Sequence, residues 1–155
     1  MKKFIVECKP DEVLAKILGF RTNEIAHQPN KGEVCNYMMK SKVKIALIDE
    51  DPGSTSQPKL LKQFKLEINQ FDIKYLALKK EDKNVIILQP RLEEWILKRC
   101  KVSGVKPEDH FLPSDNKKLK DVINLHLNRF EELLKNLSDK NDEGLKFLSK
   151  LVNDI

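Results

Sequence analysis

The sequence predicts an α/β protein in which a mostly parallel central sheet is flanked by helices and followed by a C-terminal α-helical extension. Three observations carry that expectation. Short apolar runs alternate with helical patterns through the first two-thirds of the chain, and VKIALID at 43–49 is strongly apolar, as a strand buried on both faces is. From Lys117 onward only helical periodicity remains. A chain of 155 residues suits one domain, divided as an α/β part over 1–105 and the helical extension over 106–155.

The elements follow in order. KFIVE at 3–7 is a short β-type run. Pro10 then opens a helix in which Val13, Leu14, Ile17 and Leu18 recur at helical spacing, Asp11 and Glu12 suit the positive N-terminal end, and Gly19 is the stop. RTNEIAHQ is a weak strand, Pro29-Asn30-Lys31-Gly32 a turn, and EVCNYMMKS a second helix with Val34, Cys35, Met38 and Met39 on one face. After the 43–49 strand, the stretch from Glu50 to Ser56 is acidic and then rich in turn formers, a composition suited to the ligand-binding carboxyl edge of an open sheet. KLLKQFKLEI at 59–68 reads as helical, IKYLALKK and NVIILQ as strands about a polar turn, and PRLEEWILKRC as a helix with Pro90 in its first turn. Lys117 to Leu137 reads as a single amphipathic helix and GLKFLSKLVNDI as another. Their apolar stripes exceed what two lone helices could hide, so they are expected to cover one face of the sheet or an interface, including that of a homodimer.

Composition narrows the function classes. The longest apolar runs, such as IALI and VIIL, fall far short of the roughly 20 residues a membrane helix needs. The start, MKKFIVECKPDE, meets acids and a proline before any apolar stretch of signal length, so a cytoplasmic protein is expected. Cys8, Cys35 and Cys100 are odd in number and lack C-x-x-C spacing, which argues against a disulfide framework and a zinc knuckle. A net charge of +5 suits a polyanion partner without requiring one.

Chemistry is concentrated at the strand ends. Glu7 closes the first strand and Asp49-Glu50-Asp51 the third. In a parallel sheet these ends share one edge, and if the two strands are neighbours, Glu7, Asp49 and Asp51 come within reach of one ion. Massed carboxylates repel unless a cation or a basic group neutralises them, and oxygen ligands suit magnesium or manganese. Asp49 and Asp51 face the same way if the strand continues, and Glu50 faces the other.

These segments carry a family resemblance. FIVECKPDEVLAKILGF resembles the first motif of the Toprim domain, an apolar strand ending in glutamate, and IALIDEDPG resembles its second, a strand ending in Asp-x-Asp. Topoisomerases, bacterial primases, recombination proteins, a ribosomal-RNA maturase and OLD-type nucleases share that domain. The resemblance implies a magnesium site built by Glu7, Asp49 and Asp51 that supports phosphodiester chemistry. Cys8 stands where the family usually has glycine. QPRLEEWILKR is similar to a Pro-x-apolar-Glu-x-Trp segment of small stand-alone Toprim-like proteins, some of them partners of ATPases in phage defence. That match implies Glu93 as a further functional acid, completing a second metal position. The resemblance spans about residues 3 to 100.

The expected function is that of a small magnesium-dependent nuclease acting on DNA or RNA, in a bacterial defence or processing system. Lys9, Lys31 and Lys59 are expected to position backbone phosphates, and Glu7 is an alternative general acid or base. Topoisomerase activity is not expected, since its large accessory domains do not fit in 155 residues. The main rival is a non-catalytic nucleic-acid-binding or regulatory subunit that works with a partner protein. A phosphoryl-accepting receiver domain fits less well, because it wants an acid pair on the first strand and one aspartate on the third.

Overall fold

The computed structural model describes residues 1–54 and 57–155. Thr55 and Ser56, the end of the acidic and turn-rich stretch, lie outside the described residues. The elements run β1 (Phe4–Val6), α1 (Lys9–Ile17), β2 (Ile25–His27), α2 (Lys31–Lys40), β3 (Ile45–Asp49), β4 (Lys65–Gln70), β5 (Ile73–Leu78), β6 (Lys83–Leu88), α3 (Leu92–Ser103), α4 (Asn116–Val122), α5 (Leu127–Asp139) and α6 (Glu143–Asn153). They form an α/β fold around a sheet of order β2-β1-β3-β6-β5-β4. The first four strands in that order are parallel and the β4–β5 hairpin completes the sheet antiparallel. β1 and β3 are direct neighbours, with Phe4 opposite Ile45.

Period-two alternation divides the strand residues between two cores. Phe4, Val6, Ile45, Leu47, Ile86 and Leu88 face one side and pack with residues of α1, α3, α4, α5 and α6. Ile5, Ala46, Ile48, Val85 and Ile87 face the other, against Val34 and Met38 of α2. Burial on both faces explains why β3 and β6 read as continuous apolar runs.

The C-terminal helices complete the first of these cores. Phe130, Leu133, Leu134 and Leu137 of α5 and Leu145, Leu148 and Val152 of α6 belong to the same cluster as the strand residues. Most of the apolar surplus read from the sequence is thus buried within the chain, with Leu125 left exposed. Arg99 of α3 and Asp142, the N-cap of α6, fasten the junction; Arg99 Nε lies 3.4 Å from Asp142 Oδ2, and both side chains are almost fully buried. Glycine is required beside them, since a Cβ at Gly144 would stand 2.4 Å from Arg99 Cδ.

Three local expectations differ from the structure. Residues 59–68 are not a helix: a short 3-10 turn spans Lys59–Gln63 and β4 follows from Lys65. β4 is a sheet edge and largely exposed, so it lacks the alternation that marks a half-buried strand. Pro90 precedes α3 rather than entering its first turn; Arg91 is the N-cap and the Gln89–Pro90 peptide is cis. The segment 117–137 is broken, with a 3-10 turn at Ile123–Leu125 and His126 outside helical geometry. The β-branched pair Val122-Ile123 followed by Asn124 is a weak stretch for helix propagation.

Candidate functional site

Three helix N-termini lie at the carboxyl edge of the parallel strands, because α1, α2 and α3 each start shortly after the end of a parallel strand, β1, β2 and β6. Glu7 and Cys8 lie between β1 and α1, Lys31 opens α2, and α3 begins two residues after the Gln89–Pro90 bond. The fixed positive ends of helices favour negative charge there.

Asp49 is the last residue of β3 and is half-buried at its end. Its Oδ1 accepts a hydrogen bond of 3.1 Å from Leu92 N at the start of α3. Burial pushes its pKa up to about 8, and the charges of Asp11, Glu93 and Glu7 push in the same direction, against the Leu92 N–H. Glu7 follows β1 and is likewise raised by burial; Lys31 opposes that shift and Asp51 adds to it. The charges of Glu7 and Glu93 thus both act on Asp49; Glu7 and Asp49 are two of the three acids named from the strand ends, and Glu93 is the acid implied by the family resemblance.

Asp11 is the member of this group that sequence reasoning assigned only to helix stabilisation. It is 1% exposed, and its Oδ1 has no hydrogen-bond partner. Burial raises its pKa to about 7; hydrogen bonding at Cys8 opposes this and the Glu7 charge reinforces it. Its position three residues beyond the Cys8 N-cap explains the placement. Helical side chains lean toward the N-terminus, so Asp11 leans back toward Glu7 and Asp49. Burial first and the Asp11 charge second push the Cys8 thiol pKa up, which disfavours the thiolate.

Asp51 departs from the expected geometry. β3 ends at Asp49, and Asp51 takes a left-handed conformation with φ of 53°, so the two aspartates are not successive residues on one strand face. Its backbone is anchored by a 2.8 Å hydrogen bond from Asp51 N to Pro90 O. Its Oδ1 accepts from Arg91 Nε at 2.8 Å, and its Oδ2 lies 4.0 Å from Lys31 Nζ. Arg91 also donates to Glu94, the acid next to Glu93. Glu50 turns away and pairs with Lys74 and Gln89.

Asp51 and Glu7 nevertheless line one cleft of about 290 Å³ with Asn30, Lys31, Gly32 and Pro58. Lys31 is largely buried in it and donates to Glu50 O at 3.1 Å, leaving its charge between Glu7 and Asp51. Lys59 is exposed next to Pro58, and Lys9 is exposed in the first turn of α1. Among the described residues, no group of three or more His, Cys, Asp or Glu side chains is arranged to hold a metal ion as it stands. No helix among the described residues is long and apolar enough to cross a membrane.

Searches against protein-family models, curated proteins and solved structures find no match for this chain. The chemistry of the site therefore rests on its own residues.

Proposed function

We propose that the chain is a small Toprim-like enzyme that cleaves phosphodiester bonds in nucleic acid with the help of magnesium or manganese. The observation that carries this reading is the set of desolvated acids at the ends of two neighbouring parallel strands. Asp49 and Asp11 are both raised above the ordinary carboxylate range, by burial first; the Asp11, Glu93 and Glu7 charges add to it at Asp49 and the Glu7 charge at Asp11. Such a group stores repulsion that a divalent cation relieves, and its all-oxygen donors, including the unpartnered Asp11 Oδ1, suit a hard ion.

Asp49, Glu7 and Asp11 would hold the ion, with Glu93 nearest a second position. Bound there, the ion supplies charge stabilisation for the phosphoryl oxygens and a water of lowered pKa. The remaining work falls to the chain. Lys31 faces the cleft and neutralises a phosphate oxygen, and the α1 and α2 N-termini add to the positive field. Where Glu7 does not ligate the ion, burial raises its pKa and suits it instead to accept or return a proton from water.

A second reading has its own support. Asp51, one of the two aspartates of the Asp-x-Asp pair, is held by Arg91 and faced by Lys31, which favours a binding subunit in which basic groups have replaced the metal. A cleavage assay separates the two. The purified chain is incubated with labelled single-stranded and duplex DNA and RNA in magnesium or manganese, with a chelator control. Metal-dependent products are expected. Absence of cleavage on every substrate would overturn the enzyme reading and leave the binding one.

Metal binding has a separate readout. A ligand that binds only the folded chain stabilises it by mass action, about 1.4 kcal/mol at tenfold excess over its dissociation constant. Millimolar magnesium at pH 8 is thus expected to raise the melting temperature by about 3–5 °C, reversibly with chelator. An unchanged melting curve across that range, for manganese as well, would contradict the site.

A further inference from the structure

A second concavity of about 520 Å³ lies between α3 and the segment from Val105 to Asn116. Three lysines, Lys98, Lys101 and Lys106, and two acids, Glu94 and Glu108, line it over an apolar floor that includes Leu97, Val105 and Pro107. Glu94 is paired with Arg91, whereas Glu108 accepts from the Ser114 hydroxyl and keeps its charge, which Lys106 partly offsets. Lys98 pairs with Asp72, whereas Lys101 and Lys106 are exposed and make no ion pair among the described residues. The groove therefore presents net positive charge. It is also continuous with the carboxylate edge, because Glu94 at its wall shares Arg91 with Asp51 of the cleft.

Phe111 stands in the chain between the lining residues Glu108 and Ser114. Its side chain is 78% exposed and its φ is 58°, a left-handed conformation that a bulky residue rarely adopts. Arg129 holds it there, donating to Phe111 O at 3.2 Å with its guanidinium 5.7 Å from the ring centroid. The left-handed backbone is that of the residue closing the 3-10 turn Pro107–His110, with Phe111 N donating to Glu108 O and Leu112 N to Pro107 O; the ring itself stays in solvent. Lysines along a groove, with an exposed aromatic ring in the segment that joins two of its lining residues, are the features by which proteins take single-stranded nucleic acid, phosphates on the cations and a base on the ring.

We propose, resting on the nuclease reading above, that this groove carries the single-stranded segment of the substrate leading away from the carboxylate edge. Lys101 and Lys106 contact its phosphates and Phe111 stacks on a base. Binding is measured without cleavage, by fluorescence anisotropy of labelled 20-mers in chelator, so its result does not depend on the metal chemistry. Three oligonucleotides are compared: single-stranded DNA, single-stranded RNA and duplex DNA. The preferred single strand identifies the sugar.

The double variant Lys101→Glu/Lys106→Glu is expected to bind single strands at least tenfold more weakly. Its salt dependence should flatten by about 1.4 in log–log slope, the share of two phosphates. A matched control, Lys42→Glu/Lys80→Glu, reverses two exposed lysines at the opposite edge of the sheet and should change affinity less than threefold. Phe111→Ala should weaken single-strand binding about fivefold or more and leave duplex binding unchanged. All substitutions are at exposed positions, and unchanged melting temperatures verify folding. Equal losses in the groove and control variants, no loss in either, or no single-strand binding by the wild type at 50 mM salt would overturn the proposal. Cleavage by a protein whose groove variants bind normally would remove this inference alone; groove-dependent binding without cleavage would remove the nuclease reading alone.

Discussion

Replacing Asp49 with asparagine is expected to reduce metal-dependent cleavage by about 10³-fold and, in the same variant, to raise the melting temperature of the metal-free chain at pH 8. Asparagine keeps an oxygen for the Leu92 N–H but removes the charge that the site needs to hold an ion. The stability half follows from linkage. In the unfolded chain the carboxyl titrates near 3.8, and in the fold burial and the neighbouring acids place it at about 8. Between those values the folded state keeps a proton that the unfolded state has lost, so stability falls as pH rises. The contribution is fully present below pH ~4 and is gone once pH passes ~8. The penalty at pH 8 is on the order of a few kcal/mol, equivalent to roughly 5–10 °C for a chain of this length. Asparagine escapes it, so the gain should be near zero at pH 4 and largest at pH 8. Magnesium should narrow the gap by stabilising the wild type alone. Thermal melts at the two pH values, with chelator and with magnesium, check each arm. A variant that melts at or below the wild-type temperature at pH 8 without metal would show that Asp49 carries no stored repulsion.

That coupling of activity to instability also explains which parts of the site were legible in the sequence. An acid at the end of an apolar run is exposed as a pattern, since nothing in a buried strand calls for charge; Glu7 and Asp49 stood out for that reason. Asp11 did not, because an acid in a helix's first turn already has an explanation in the helix dipole. The overlooked signal was the spacing Glu7-x-x-x-Asp11 across a strand-to-helix turn, which folds the second carboxylate back under the first. Asp51 shares a face with Asp49 only if the strand continues, and Pro52-Gly53 immediately after it is a turn signal against that. Aspartate is one of the few residues that tolerates the left-handed conformation it adopts. The parallel strands could be read because burial on both faces leaves unbroken apolar runs. β4 could not, since an exposed edge strand is held mainly by backbone bonds to β5, which leave no side-chain pattern.

A second large effect is expected at the other end of α3, where Asp142→Ala should cost about 3–5 kcal/mol of stability. Three interactions meet on this carboxylate, whose side chain is fully buried. Oδ2 caps α6 by accepting from Leu145 N at 2.9 Å, Oδ1 accepts from the Ser103 hydroxyl, and Arg99 lies alongside. Arg99 in turn sits 5.5 Å over the Phe71 ring, which packs against Phe147 of α6. Alanine removes the cap and leaves the Arg99 charge buried without its partner, and the second loss is the larger. Two further variants separate these terms. Asp142→Asn retains an oxygen for the cap but not the charge, so it should still lose most of the stability. Arg99→Met added to Asp142→Asn removes the orphaned cation and should recover a large part of it. Urea denaturation followed by circular dichroism measures all four proteins. Single-variant losses below ~1 kcal/mol, or a double variant no better than Asp142→Asn, would mean that the junction between α3 and α6 is held by its apolar contacts alone and that the buried pair contributes nothing to keeping the C-terminal helices on the sheet.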